Sequence, residues 1–282
     1  MNRKGRLPVG GRMKEITADD DFERFRTGAA KYAAYLATPE GRLRSDLAFA
    51  NLREFLPPAG QSLRVLDIGC GTGAIGVRLA LLGLQVTLLD VSEPMLDFAK
   101  RAAQEAGVTN GIALKHGDAT EITKFFPAES FDVIICHNIL EYIGDPGGVL
   151  RSATRALRDS FGIISILVRS QAGEVWKAAI QHGDLAAAAH NLTAEWGHES
   201  LYGGKVRLFA PESLEAMMLE SSLTVTAQRG IRVVSDYLPP SVSREDEYDR
   251  IFELEHKLGK RPEFAALARY AHCLAHRTGT VM

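Results

Sequence analysis

The stretch Val65-Leu66-Asp67-Ile68-Gly69-Cys70-Gly71-Thr72-Gly73 runs an apolar segment into an acidic residue and then into a glycine-rich turn. Such a turn lets a small ligand sit directly against backbone. Gly71-Thr72-Gly73-Ala74-Ile75-Gly76 also fits the G-x-G-x-x-G pattern of dinucleotide sites, in which a pyrophosphate rests on a helix N-terminus. Asp67 argues for a different ligand. Its carboxylate would repel a pyrophosphate, but it would attract a cationic amino acid. S-adenosyl-L-methionine (SAM) carries a sulfonium and an ammonium and no phosphate, so it fits this chemistry.

Further polar residues stand at the ends of later apolar segments. Asp90 can accept from both ribose hydroxyls, or it can merely cap a helix. Gly117-Asp118 is suited to the adenine amino group, the alternative being a local turn. His137 and Asn138 are followed closely by Glu141-Tyr142. Position puts His137 over the cofactor pocket, as a base, a cofactor contact or a structural histidine; a contact or wall role is preferred. Arg169 can grip an anionic acceptor in bidentate fashion, or stand solvated at a strand end. Cys70 reads as a small side chain fitting a tight loop rather than as a redox or metal thiol.

The elements that must position these residues alternate in type. Leu63–Ile68, Gln85–Leu89, Gly111–His116, Phe131–Cys136 and Phe161–Val168 read as strands. Between them, Ala74–Leu82 reads as a helix ended by Gly83, and Ser92 with Pro94 opens another helix carrying Met95, Phe98, Ala99 and Ala102 at helical spacing. Val149, Ala153, Ala156 and Leu157 form the apolar stripe of a later helix. Alternation of this kind implies an α/β fold, a parallel sheet with helices on both faces. Ligands bind such sheets outside the carboxyl ends of the strands, where Asp67, Asp90, Asp118 and His137 fall.

The expected organisation is a basic flexible tail at 1–19, a helical cap at 20–60, a Rossmann-like core at 61–169, a lid or acceptor-binding insertion at 170–210, and a C-terminal part at 211–282 that completes the sheet. A charged helix is expected near Arg244–Leu258 and a final segment at Tyr270–His276. Pro57-Pro58 and Gly60 mark the boundary before the core. The tail carries Arg3, Lys4, Arg6, Arg12 and Lys14 with no apolar run behind them, unlike a secretory signal.

With 282 residues, 46% of them hydrophobic, the chain can build a sizeable core. Its net charge of −2 supplies no strong field toward nucleic acid or membrane, although a local basic face would suffice for RNA. No run of about twenty apolar residues suggests a membrane span. The three cysteines, Cys70, Cys136 and Cys273, are far apart and form no zinc motif. That spacing fits reduced thiols and a cytoplasmic protein, and no metal is expected.

Asp67-Ile68-Gly69-Cys70-Gly71-Thr72-Gly73, Asp90 and Gly117-Asp118 together resemble the class I SAM-dependent methyltransferases. From about Phe22 to Arg277 the chain resembles, more specifically, the bacterial tRNA 5-carboxymethoxyuridine methyltransferases. The matching stretches include Gly41-Arg42-Leu43-Arg44, His137-Asn138-Ile139-Leu140-Glu141-Tyr142, Gly230-Ile231-Arg232-Val233-Val234-Ser235-Asp236-Tyr237-Leu238, Phe252-Glu253-Leu254-Glu255 and Arg269-Tyr270-Ala271-His272. The resemblance implies a Rossmann-like, mostly parallel, seven-stranded sheet. It implies that Arg44 holds the methionine carboxylate of SAM, that Gly69 and Cys70 line the methionine and ribose side, that Asp90 takes the ribose, that Asp118 and Ala119 flank adenine, and that His137 closes the pocket; Asp67 and Gly71 are further cofactor-binding candidates. Candidates for the acceptor pocket are His137, Arg169, Arg232 and Tyr237, with no catalytic residue assigned.

The expected reaction is methyl-ester formation on the carboxylate of a modified wobble uridine, with tRNA as partner. A carboxylate is ionised near neutral pH and needs no general base. The alternatives are SAM-dependent methylation of a small metabolite, which would draw on His137 as base for a neutral acceptor, and a nucleoside-binding module without catalysis. The full set of polar strand-end residues argues against the last.

Overall fold

The computed structural model describes residues 18–57, 62–158 and 161–279. The expected basic tail lies outside the described residues except where the first helix begins. The helices are α1 (Ala18–Leu36), α2 (Pro39–Arg53), α3 (Ala74–Leu81), α4 (Glu93–Glu105), α5 (Ile122–Phe125), α6 (Pro146–Ala156), α7 (Gln171–Trp176), α8 (Leu185–Asn191), α9 (Pro211–Glu220), α10 (Tyr248–Leu258) and α11 (Pro262–Ala265). The strands are β1 (Arg64–Ile68), β2 (Gln85–Asp90), β3 (Ile112–His116), β4 (Val133–His137), β5 (Ile163–Arg169), β6 (Trp196–His198), β7 (Lys205–Arg207), β8 (Leu223–Ile231) and β9 (Tyr270–Arg277).

Seven strands form one sheet in the order β3-β2-β1-β4-β5-β9-β8. The pairs among β1 to β5 are parallel, while β9 runs antiparallel to both β5 and β8. This is the Rossmann-like, mostly parallel, class I methyltransferase arrangement expected. Every residue of β5 is buried, as in a strand covered on both faces. On one face Leu66, Ile134 and Ile164 pack with Leu150 and Ala153 of α6 and with Leu214 and Met218 of α9. On the other, Val65, Val133 and Ile163 pack with Leu79 of α3, Ala99 of α4 and Leu52 of α2. Chain order reverses between β1 and β4, and this opens the crevice in which such sheets bind ligands.

Local chemistry fixes the boundaries. Ser92 Oγ accepts from Met95 N, so it is the N-cap of α4, and Pro94 follows within the first turn. β4 starts at Val133 rather than Phe131, which makes only an isolated bridge to Leu157. β5 begins at Ile163, where pairing to β4 and β9 starts; Phe161 stands 83% exposed in the turn before it. The charged helix begins at Tyr248 rather than Arg244. The Arg244 guanidinium instead donates to the carbonyls of Ser235, Leu238, Pro239 and Val242, and this stitches the preceding loop.

The segment 170–210 leaves the sheet after β5. α7 continues into a π-helical turn at Lys177–Gln181, then come α8 and the two-stranded β6–β7 hairpin. α1 crosses to this segment: Arg24 Nη1 donates to Gly203 O at 2.8 Å and Lys31 Nζ to Ser200 O at 3.4 Å.

Candidate active site

A cavity of about 370 Å³ opens at the carboxyl ends of β1, β2 and β4, under α1 and the β6–β7 turn. Gly69, which lines it, has φ +65°, and a Cβ there would stand 2.4 Å from Ile139 Cδ1. Gly73 caps α3 with φ +75°, and a Cβ would meet Ala99 Cβ at 2.9 Å. The loop is therefore left-handed and pressed against its neighbours, and glycine is the residue that permits both conditions.

Asp90 ties this loop to the next. Its carboxylate accepts from Gly71 N at 2.8 Å and from Ser92 N at 2.9 Å while lining the cavity. Each oxygen keeps acceptor capacity for a hydroxyl. Burial pushes the Asp90 carboxyl up, against the pull of these N–H groups. Asp118 accepts from Thr120 N at 2.7 Å, the local turn considered from sequence, and it lines the cavity as well, beside Ala119. Asp67 lies deeper, in a recess of about 40 Å³ that also borders Cys70, Arg44 and His137. It is 4% exposed. Burial, and then the neighbouring Asp90, raise its carboxyl to about 8. A buried acid beside a second carboxylate favours the neutral form.

Arg44 supplies the opposite charge. Its guanidinium donates to Tyr32 Oη at 2.9 Å and lies over the rings of Tyr32, Tyr35 and Tyr270. Burial opposes its charge, but the surrounding phenol oxygens outweigh burial and raise its pKa. Tyr270 shows the reverse effect. Burial would raise its phenol, yet Arg44, Arg169, Arg232 and Arg269 draw it down to about 8. Arg44 reaches the cavity wall, and its donors suit a ligand carboxylate.

His137 is held by a buried chain of side chains. Its Nε2 lies 2.8 Å from Ser165 Oγ, which lies 2.8 Å from His272 Nε2, whose Nδ1 faces the Asn51 amide nitrogen at 3.3 Å. An amide nitrogen only donates, so His272 Nδ1 accepts and its Nε2 carries the proton. Ser165 receives that hydrogen bond and donates its own to His137 Nε2. The remaining ring proton of a neutral His137 then sits on Nδ1. Burial holds His137 well below the usual histidine range, with His272 and Arg44 adding to the effect, and burial draws His272 down to about 3. His137, which lines the cavity, is thus a neutral ring whose Nε2 is already engaged by Ser165.

A model of the family described as "Methyltransferase domain" matches residues 60–253. The chain belongs to the methyltransferase-domain family. It is a SAM-dependent methyltransferase. The curated tRNA 5-carboxymethoxyuridine methyltransferase of Escherichia coli K12 is 28% identical over 275 residues, covering 94% of this chain and 97% of that protein. The ubiquinone biosynthesis O-methyltransferase of Methylococcus capsulatus is 33% identical over 120 residues, covering 42% of this chain and 49% of that one. Among solved structures, a SAM-dependent methyltransferase from Thermotoga maritima shares the fold with a TM-score of 0.60 at 14% identity, covering 91% of this chain and 100% of its own. The 1,6-didemethyltoxoflavin-N1-methyltransferase of Burkholderia thailandensis, solved with S-adenosylhomocysteine, does so with a TM-score of 0.59 at 16% identity, covering 96% of this chain and 94% of its own.

The methyltransferase brings Arg44, Gly69, Gly71, Asp90, Asp118, Ala119, His137 and Arg169 to this cavity, and Asp67 and Cys70 to the adjoining recess. Arg169 is not solvated. It is 8% exposed, and its guanidinium donates to Glu174 and Glu199. A bidentate grip on an acceptor would require Glu199 to move. Arg232 and Tyr237 do not line either space. Arg232, at φ +61°, pairs with Asp236 and donates to Tyr35 Oη at 3.0 Å, so it supports the tyrosine cage of Arg44 from behind. The turn that carries it is anchored by Glu255, which accepts from Val233 N, Val234 N and Ser235 N.

Sequence reasoning missed the aromatic roof. Phe25 packs edge-on against Tyr142 at 5.0 Å and Tyr202 at 5.3 Å, and Tyr32 lies 6.0 Å from Tyr202. These residues come from α1, the loop after β4 and the β6–β7 turn, and no local pattern joins them. Only Tyr142, close behind His137, had a positional signal. Among the described residues, no helix is long and apolar enough to cross a membrane, and no group of three or more His, Cys, Asp or Glu could hold a metal.

Proposed function

We propose that the chain methylates the carboxylate of 5-carboxymethoxyuridine at the wobble position of tRNA, giving the methyl ester, in the cytoplasm. The supporting observation is coverage. The E. coli tRNA enzyme aligns with 94% of this chain, a span too large to omit either the α1–α2 cap or the 170–210 insertion. The ubiquinone relatives from Methylococcus and Bradyrhizobium match 42% and 60%. In this reading the 20–60 cap and the 170–210 insertion form a lid over the 61–169 core, and 211–282 completes the sheet.

The residues at hand fit the cofactor. Arg44 would hold its carboxylate, Asp67 its ammonium, Asp90 the ribose hydroxyls, and Asp118 with Ala119 the adenine. When bound, SAM supplies an electrophilic methyl carbon on a sulfonium. An acceptor carboxylate is already ionised, so the protein has only to orient it and exclude water, and orientation can supply roughly 7–11 kcal/mol in favourable cases. The roof of Phe25, Tyr142 and Tyr202 is suited to excluding water. His137, with Nε2 engaged by Ser165, is not needed as a base.

One observation favours methylation of a small-molecule hydroxyl or amine instead. Glu141 lines the cavity with Oε2 buried and unpartnered, and burial raises its carboxyl, as a general base would require. The two readings separate by mass spectrometry of tRNA nucleosides. A strain lacking the gene should lose the methyl ester, and purified protein with SAM should restore it on that strain's tRNA. Persistence of the ester in the strain, together with no transfer in vitro, would sink the tRNA reading.

A further inference from the structure

The β6–β7 hairpin has two unlike faces. Cross-strand pairs Trp196 with Arg207 and His198 with Lys205 alternate with Gly197 and Val206. Val206 is fully buried beneath, so the two outer pairs share the opposite, outward face. Trp196 is 42% exposed there, which is unusual for so large an aromatic ring. The Arg207 guanidinium lies 4.6 Å from the indole centroid and Lys205 Nζ lies 5.9 Å from it. Arg207 Nε is buried without a hydrogen-bond partner. Among the described residues, neither Lys205 nor Arg207 has a carboxylate within 4.0 Å. Although the whole chain carries −2, this face is cationic and aromatic. The same hairpin leads directly into the cavity, because its turn supplies Glu199, Leu201 and Tyr202 to the wall. Exposed Lys31 reaches the turn at Ser200 O.

We propose that the outward face of this hairpin, formed by Trp196, His198, Lys205 and Arg207, is a docking platform for a single-stranded RNA loop whose target base enters the adjoining cavity. The inference rests on the tRNA reading above and adds where the loop is held. Rings flanked by unpaired cations suit unstacked bases and their phosphates, since every base has a face to stack and each phosphate carries a charge. A folded duplex could not reach the cavity, whereas a loop base can be splayed into it.

Binding of an anticodon stem-loop carrying 5-carboxymethoxyuridine, in the presence of S-adenosylhomocysteine, tests the platform by fluorescence anisotropy across a salt series. Trp196→Ala should weaken binding about five- to tenfold, the effect of losing one stacked base, and Trp196→Phe should restore most of it. Lys205→Gln and Arg207→Gln should each lower the slope of log K against log salt by about 0.7, as expected for one lost phosphate contact to a single strand. Cofactor affinity and methyl transfer to the free modified nucleoside should stay at wild-type values in all four variants. Unchanged affinity and slope in the variants would overturn the platform, as would a wild-type dimer that Trp196→Ala converts to monomer without affecting RNA binding. If wild-type protein methylates the stem-loop and these variants match it, only the platform falls; if wild-type protein neither binds nor methylates the stem-loop, the tRNA reading falls first.

Discussion

Cofactor binding should expel a proton from Asp67. In the ligand-free protein this carboxyl is buried beside Asp90 and titrates at about 8. At pH 7 about nine-tenths of the molecules therefore hold it protonated. A cofactor ammonium seated against Asp67 favours the carboxylate, so its pKa falls on binding and about 0.9 proton is released at pH 7. Because the cofactor selects the deprotonated form, affinity rises with pH, approaching tenfold per unit, about 1.4 kcal/mol, between about pH 5 and 7. Above that window the α-amino group itself begins to lose charge. Folding without cofactor has the opposite sign. Between about 4 and 8 the folded chain keeps a proton that the unfolded chain releases, so this group's contribution to stability falls as pH rises. Isothermal titration at pH 7 in buffers of differing ionisation enthalpy reads the release directly, as the slope of observed enthalpy. Asp67→Asn should abolish that slope and flatten the pH dependence of affinity. A wild-type slope near zero, or a slope that persists in Asp67→Asn, would refute the placement of the ammonium beside Asp67.

Three further outcomes are expected. Asn51→Asp replaces a donor to His272 with an acceptor, which reverses the chain through Ser165 and moves the proton of His137 from Nδ1 to Nε2; ¹⁵N shifts of the two ring nitrogens should exchange character while both rings stay neutral. Gly28→Ala sets a Cβ 2.5 Å from Tyr202 Cδ1, so denaturant unfolding should show about 1–3 kcal/mol of overpacking cost, most of it relieved in the double variant with Tyr202→Ala. Glu255→Ala leaves the N–H groups of Val233, Val234 and Ser235 without their acceptor; at about 1 kcal/mol or more for each orphaned group, the melting temperature should drop by several degrees, together with cofactor affinity, as Arg232 loses its hold on the Tyr35 side of the Arg44 cage.

The sequence by itself determined the parallel strands of the sheet and the polar residues at their ends. Period, turn residues and helix caps are local properties, so β1 to β5, the Ser92 cap and the positions of Asp67, Asp90, Asp118 and His137 at strand ends were legible without coordinates. Boundaries drifted where an apolar residue lies in a turn, as at Phe161, and where a long side chain was used to stitch a loop, as with Arg244. The partners and charge states of the strand-end residues are visible only in three dimensions. Asp67 acquires its raised pKa from enclosure next to Asp90. His137 takes its tautomer through Ser165, His272 and Asn51, which lie on other strands and a helix. Arg169 proves to be paired rather than solvated because the β6–β7 turn brings Glu199 to it. Arg232 carries a family-like motif yet serves as a support behind Arg44. Charge state and tautomer depend on what surrounds a group from every side, and much of that surrounding comes from residues distant in the chain. The glycine loop and its acid could therefore point to a methyl donor from sequence alone, while the roof over it and the cationic face beside it emerged only when distant segments packed together.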